Sequence, residues 1–188
     1  MATTAWLYAT TASGAISPTN ATGAPNSTTA EVSAATLTLG GFGVQSAIGA
    51  QPASITSVQV AVRLSGWVPS ETLPAGAVKV GGVSLNPATT ITSAPATYTW
   101  TVSPVPTWAE LGSLSVTITE GGGSTSYFVD SVGVQVTYTT STSYPASGTV
   151  AAVSAVAGSA RVLASTSGTV AAVSAVTRHF PSGETWMS

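Results

Sequence analysis

The sequence predicts an all-β protein, an antiparallel and jelly-roll-like β-sandwich over residues 1–140 with a β-rich repeat extension behind it. Three observations predict it. Apolar and polar residues alternate in several short runs, clusters of turn-forming residues separate those runs, and from Ser147 onward the chain repeats itself with a period of ten.

Taken in order, "MATTAWLYATTASG" has neither a basic start nor a continuous apolar run, so it does not read as a secretory signal. "SPTNATGAPN" is a cluster of turn formers, and a strand is predicted near Val32–Leu39, ended by "LGGFG". In "SITSVQVAVRL", Val58, Val60, Val62 and Leu64 share one parity while Gln59, Ala61 and Arg63 take the other, the pattern of a half-buried strand. "SGWVPS" reads as a loop, Ala77–Leu85 as strand, "LNPATT" as a turn and Thr97–Val102 as strand. "PTWAELGSL" fits one turn of helix, favoured by Ala109 and Glu110 and stopped by Gly112. Leu114, Val116 and Ile118 alternate again, "EGGGSTS" reads as a hairpin connection, and Val132, Val134, Val136 and Tyr138 mark the last strand. Asp130 shares the parity of those valines, so it is expected to point inward and accept N–H bonds from a neighbouring loop.

Residues 141–146, within "TSTSYPAS", form a linker. Residues 147–188 hold the repeats and a tail: "SGTVAAVSAV" stands at Ser147–Val156 and again at Ser167–Val176. Valine and threonine favour strand here, and glycine recurs where a turn would be needed. Val150, Val153, Val156, Val170, Val173 and Val176 cannot all be buried by so short a segment folding on itself. Burying a valine stabilises by roughly 1.5 kcal/mol or more, so six left in water forfeit on the order of 9 kcal/mol. These valines are therefore the expected interface of a homo-oligomer, the alternative reading of the repeats being a flexible, low-complexity linker.

Charge is scarce. Only 5% of residues are charged, against 27 Ser, 31 Thr and 30 Ala in 188 residues, so hydroxyls rather than charges must supply solubility. The four basic residues, Arg63, Lys79, Arg161 and Arg178, are scattered, which argues against nucleic acid as a partner. There is no cysteine, which excludes disulfides and thiolate chemistry, and no run of 18 apolar residues, so no membrane span is expected.

The order "PTNATGAPNSTTAEVSA", "LTLGGFGVQSAI", "ITSVQVAVRLSG" and "YFVDSVGVQVTY", from about Ser17 to Tyr138, resembles a β-sandwich domain of tailed-phage structural proteins of the minor tail or fibre type. The glycine-containing repeats are similar to modules of phage virion proteins. The resemblance implies a place in the particle, a three-fold assembly of the fibre kind, and no catalytic residues. Its middle departs from the pattern, with only "SGWVPSETLPAGAVKVGGVSL" where related domains carry a longer polar stretch.

Residues that could carry chemistry each have a plainer reading. His179, the only histidine, lies near the chain end and reads as an exposed or interface residue rather than a triad member. Glu31, Glu71, Glu110, Glu120 and Asp130 are placed by no motif, and a structural role is the preferred reading of Asp130. "EGGGSTS" lacks the spacing and the lysine of a phosphate-binding loop. The glycosylation-type triplets at Asn20 and Asn26 count as accidental without an export signal. Trp67, Trp100 and Trp108 are either core residues or platforms for a sugar ring, Trp67 being the one expected to be exposed.

The expectation is thus a non-enzymatic structural component of a tailed-phage particle, shown on its tail, fibre or capsid surface, with no cofactor. It would assemble in the host cytoplasm, leave by lysis, and touch itself, other virion proteins and a host-surface glycan. The alternative is a carbohydrate-binding module using Trp67 and Trp108, and a hydrolase ranks last.

Overall fold

The computed structural model describes residues 1–120 and 126–140. Among them run the strands and short helices β1 (Ala2–Thr3), β2 (Leu7–Tyr8), β3 (Thr11–Ser13), β4 (Ala30–Val32), β5 (Thr36–Gly40), α1 (Val44–Ile48), β6 (Ser54–Gly66), β7 (Glu71–Leu73), β8 (Val78–Val80), β9 (Val83–Ser84), β10 (Thr89–Ile91), β11 (Ala96–Thr101), α2 (Trp108–Gly112), β12 (Val116–Thr119) and β13 (Tyr127–Thr139). The fold is the all-β antiparallel sandwich that the alternation predicts. The linker 141–146 and the repeat region 147–188, with Val150, Val153, Val156, Val170, Val173, Val176 and His179, lie outside the described residues.

The first sheet is built on β6 and β13, each of 13 residues, which pair antiparallel along their whole length. β11 covers the other side of β6. The far edge of β13 is taken in succession by three short pieces: β1 opposite Thr137 and Tyr138, β2 opposite Gly133 and Val134, and β4 opposite Tyr127–Val129. The second sheet has the order β3-β5-β12-β8-β9, and β7 and β10 form a separate two-stranded ribbon.

The core follows from the parity of the long strands. Val58, Val60 and Val62 stand opposite Val136, Val134 and Val132, and all six are fully buried. They belong to one apolar cluster with Leu37, Leu39, Val78, Val80, Val116 and Ile118 of the second sheet. The alternate residues of β6, Gln59, Ala61 and Arg63, face away from it, because successive side chains of a strand point to opposite faces.

Several sequence expectations need correction. The strand expected over Val32–Leu39 is two: β4 belongs to the first sheet and β5 to the second, and the chain crosses between them at Ala34, whose φ is +49°. β12 and β13, on either side of "EGGGSTS", lie in different sheets and do not pair with each other as a hairpin would require, while residues 121–125 themselves lie outside the described residues. Ala77–Leu85 is itself a hairpin, turned by Gly81 and Gly82 at φ +54° and +87°, the left-handed pair that a two-residue turn between twisted strands requires. β1, β2, β3, α1, β7 and β10 have no counterpart in the sequence reading, and β10 begins at Thr89, inside the "LNPATT" expected to be a turn, because Thr89–Ile91 pair with Glu71–Leu73. α2 stands where it is expected, started by a capping box in which Thr107 and Glu110 each bond the other's backbone N–H.

Candidate functional site

β6 carries a candidate site at each end and a third across its middle. At its C-terminal end the chain leaves the sheet through Gly66 into Trp67, which is 67% exposed, as its loop context leads one to expect. The indole lies 5.8 Å from the ring of Phe128 with the planes tilted by 33°. Beside it Val68 is exposed too. The backbone N–H of Trp67 donates both to the carbonyl of Ser126 (3.1 Å) and to Oε2 of Glu71 (2.8 Å). Glu71 is 3% exposed, and its Oε1 has no hydrogen-bond partner. A Cβ at Gly66 would run into this carboxylate, so only glycine lets Glu71 reach beneath the loop.

Trp108 stands at the other end. It opens α2, is half-buried against the core cluster, and its carbonyl accepts a 2.8 Å bond from Nε2 of Gln45. It lines a shallow groove with Ser54 and Ile55, the first residues of β6, whereas Trp67 follows the last. A 13-residue strand extends over about 40 Å, so the two indoles belong to separate surfaces and cannot grip one ligand ring. Trp100 is half-buried on the core side of β11, stacked on Tyr98 at 6.2 Å and 10°.

The acidic residues serve the backbone. Oδ1 of Asp130 accepts the N–H groups of Asn26 (3.0 Å) and Ser27 (3.1 Å), while Oδ2 accepts Nε–H of Arg63 at 2.9 Å. The loop-binding role expected of Asp130 is present, but its direction is not the expected one. The pairing of β13 with β6 slips between Val129 and Ser131, and this bulge turns the carboxylate to the Arg63 face, away from the valines. Glu110 accepts the N–H of Thr107 at 2.7 Å, and Glu120 accepts that of Ala34. With Glu71 on Trp67, four of the five carboxylates among the described residues hold a backbone N–H. The side chains of Asn20 and Asn26 are also engaged, the first on the carbonyl of Thr29 and the second on Thr28. Among the described residues no three His, Asp or Glu side chains come together as a metal site would require, and no helix is long and apolar enough to cross a membrane.

The third site was missed by sequence reasoning. On the outer face of the first sheet a groove of about 210 Å³ is lined by Trp6, Tyr8, Pro25, Ala61, Arg63, Thr97, Thr99 and Ser131. Its aromatic wall exists because β2 sets Tyr8 directly opposite Gly133. A Cβ added there would stand 3.2 Å from Cε1 of Tyr8 and 3.4 Å from Cε3 of Trp6, so the bare glycine lets both rings settle on the sheet. Beside them Arg63, 34% exposed, is held through Nε by Asp130, which is only 2% exposed. Its two terminal amino groups make no hydrogen bond to the described residues. The signal that could have found this wall is "AWLYA": Trp6 and Tyr8 are two apart, with Leu7 between them turned to the core.

No family model, curated protein or solved structure matches the chain.

Proposed function

We propose that the chain is a non-enzymatic structural component of a tailed-phage particle, carried on its tail, fibre or capsid surface. The observation that supports this reading best is the use of its carboxylates. Asp130, Glu71, Glu110 and Glu120 each accept a backbone N–H and so fix loops to the sandwich, which is an architectural use of residues that catalysis would leave open to a substrate. The charge-poor, hydroxyl-rich composition suits a subunit whose surfaces meet other subunits. Resemblance of Ser17–Tyr138 to minor tail and fibre domains supplies the particle. Peptide mass spectrometry of phage particles purified from lysate of a strain carrying the gene tests the reading. The chain is expected at a fixed ratio to the major capsid protein through density-gradient banding, and its loss from the banded particles overturns the proposal.

A carbohydrate-binding role is the second reading, favoured by the exposed indole of Trp67 against Phe128. A glycan-array signal abolished by Trp67→Ala would establish it at that end of β6, and a signal indifferent to Trp67 would remove it from there.

A further inference from the structure

We infer that the outer-face groove formed by Trp6, Tyr8, Arg63, Thr97, Thr99 and Ser131 binds one neutral pyranose unit of a saccharide. The inference stands on residues other than Trp67 and Trp108, and it does not depend on where the chain resides. A pyranose ring presents C–H groups on its faces and hydroxyls around its rim. It is recognised where aromatic surface meets a few well-placed donors and acceptors. The groove has that composition: two rings on one wall, the small side chain of Ala61 among its lining residues, the exposed hydroxyls of Thr97 and Thr99 around it, and Ser131, only 2% exposed, lining it from below. Each hydroxyl can both donate and accept, as sugar hydroxyls do.

Arg63 decides the charge of the ligand. Its guanidinium is already matched by Asp130 at 2.9 Å, so a carboxylated or sulfated sugar would face a neutral pair, not a free cation. What the pair still offers is the N–H groups on the two terminal nitrogens, held by a planar fork in a fixed direction and suited to the lone pairs of neutral hydroxyls. The volume of about 210 Å³ lies below the roughly 300–1,000 Å³ of sites for drug-sized ligands, which limits the contact to a single ring of a longer chain.

The test uses the full chain, labelled with 15N, titrated with maltotetraose, cellotetraose and mannotetraose, and in parallel with tetragalacturonate as the anionic probe. Indole N–H signals are assigned from single Trp→Phe variants. With at least one neutral tetraose, saturable shifts are expected at the Trp6 indole and at the amides of Gly133 and Thr99, with Trp67 and Trp108 unmoved. Trp6→Ala should weaken that binding about tenfold, the loss expected for one stacked ring. Should Trp6→Ala fail to fold, Thr99→Val takes its place. It removes one hydroxyl and keeps the shape, and a severalfold loss is expected. The proposal is overturned if none of the neutral tetraoses moves these signals, if only tetragalacturonate does, if the shifts centre on Trp67, or if the substitution leaves affinity unchanged.

Discussion

The β6–β13 ladder and the N-terminal pieces along its far edge are both β structure, made in opposite ways. The ladder is encoded in its own residues: over Val58–Leu64 and Val132–Val136 every second position is a branched aliphatic side chain, and Val58, Val60 and Val62 meet Val136, Val134 and Val132 in register inside the core. β1, β2 and β4 are two or three residues long and carry no such pattern. They are strands because β13 offers a row of edge groups and because side chains pin the chain at intervals: Thr3 and Thr137 share a hydroxyl bond of 3.2 Å, Gln135 donates to the carbonyl of Thr4, and Asp130 holds Asn26 and Ser27. One region has its conformation written locally, while the other borrows it from a neighbour. The borrowed region also supplies the aromatic wall of the groove.

The comparison breaks most severely if the ladder itself is damaged. Leu64 is fully buried and pairs with Val129 on one side and Ala96 on the other. Leu64→Ala is expected to cost about 2–5 kcal/mol, the usual range for a cavity left in a close-packed core. Urea unfolding followed by tryptophan fluorescence would show it as a lowered midpoint for the whole sandwich, edge pieces included.

Asp130→Ala attacks the fastening instead. It strips two loop N–H groups and one guanidinium of their acceptor, and should cost about 2 kcal/mol. Hydrogen exchange should quicken first at Asn26 and Ser27, with the amides of Val60 and Val134 still protected. Equal acceleration at all four would show that loop and ladder are one cooperative unit.

What could be read in the sequence divides along the same line. The parity of Val58–Leu64 and of Val132–Val136 is visible because both faces of each strand have fixed and different surroundings for many residues. The break at Ala34 is not, since nothing in "EVSAATLTLG" marks where one sheet ends and the other begins. The bulge at Asp130 defeats parity by a single residue, enough to reverse a side chain. The exposure of Trp67 was legible from its loop, and the single turn of α2 from Ala109, Glu110 and Gly112, although its cap at Thr107 was not. The groove was not, because Trp6 and Arg63 are 57 positions apart in the numbering and are brought together only by the pairing of β2 with β13 and of β13 with β6.

A milder change sharpens the contrast at the edge. Leu7 is the one side chain of β2 packed on the core, opposite Val134. Leu7→Ala should cost only about 1 kcal/mol, because the site is half-buried and the edge can relax. The expected signature is local: faster exchange at Tyr8 and Ala9 and altered ring signals of Trp6 and Tyr8, with the urea midpoint barely moved. A midpoint shift as large as that of Leu64→Ala would mean that the edge is as integral as the ladder.

The smallest expected effect concerns the capping box, which lies outside both regions and serves as their control. The carboxylate of Glu110 accepts the backbone N–H of Thr107 and then its hydroxyl, and these bonds to the charged form hold its pKa below the ordinary 4.5. A carboxylate whose folded pKa is depressed adds stability that is fully present above the unfolded value and is lost as pH falls through the folded one. The contribution of Glu110 should therefore be complete at neutral pH and disappear on acidification below about 4.5. Since Glu110 is solvent-exposed, the loss should be confined to the first turn of α2. Amide shifts of Thr107 and Leu111 recorded down this range should titrate with a midpoint below 4.5 in the native chain and stay flat in Glu110→Gln. A midpoint at the ordinary carboxylate value would mean that the box does not form in solution, and a concerted change in the valine signals of β6 would tie α2 to the ladder from which it is expected to be independent.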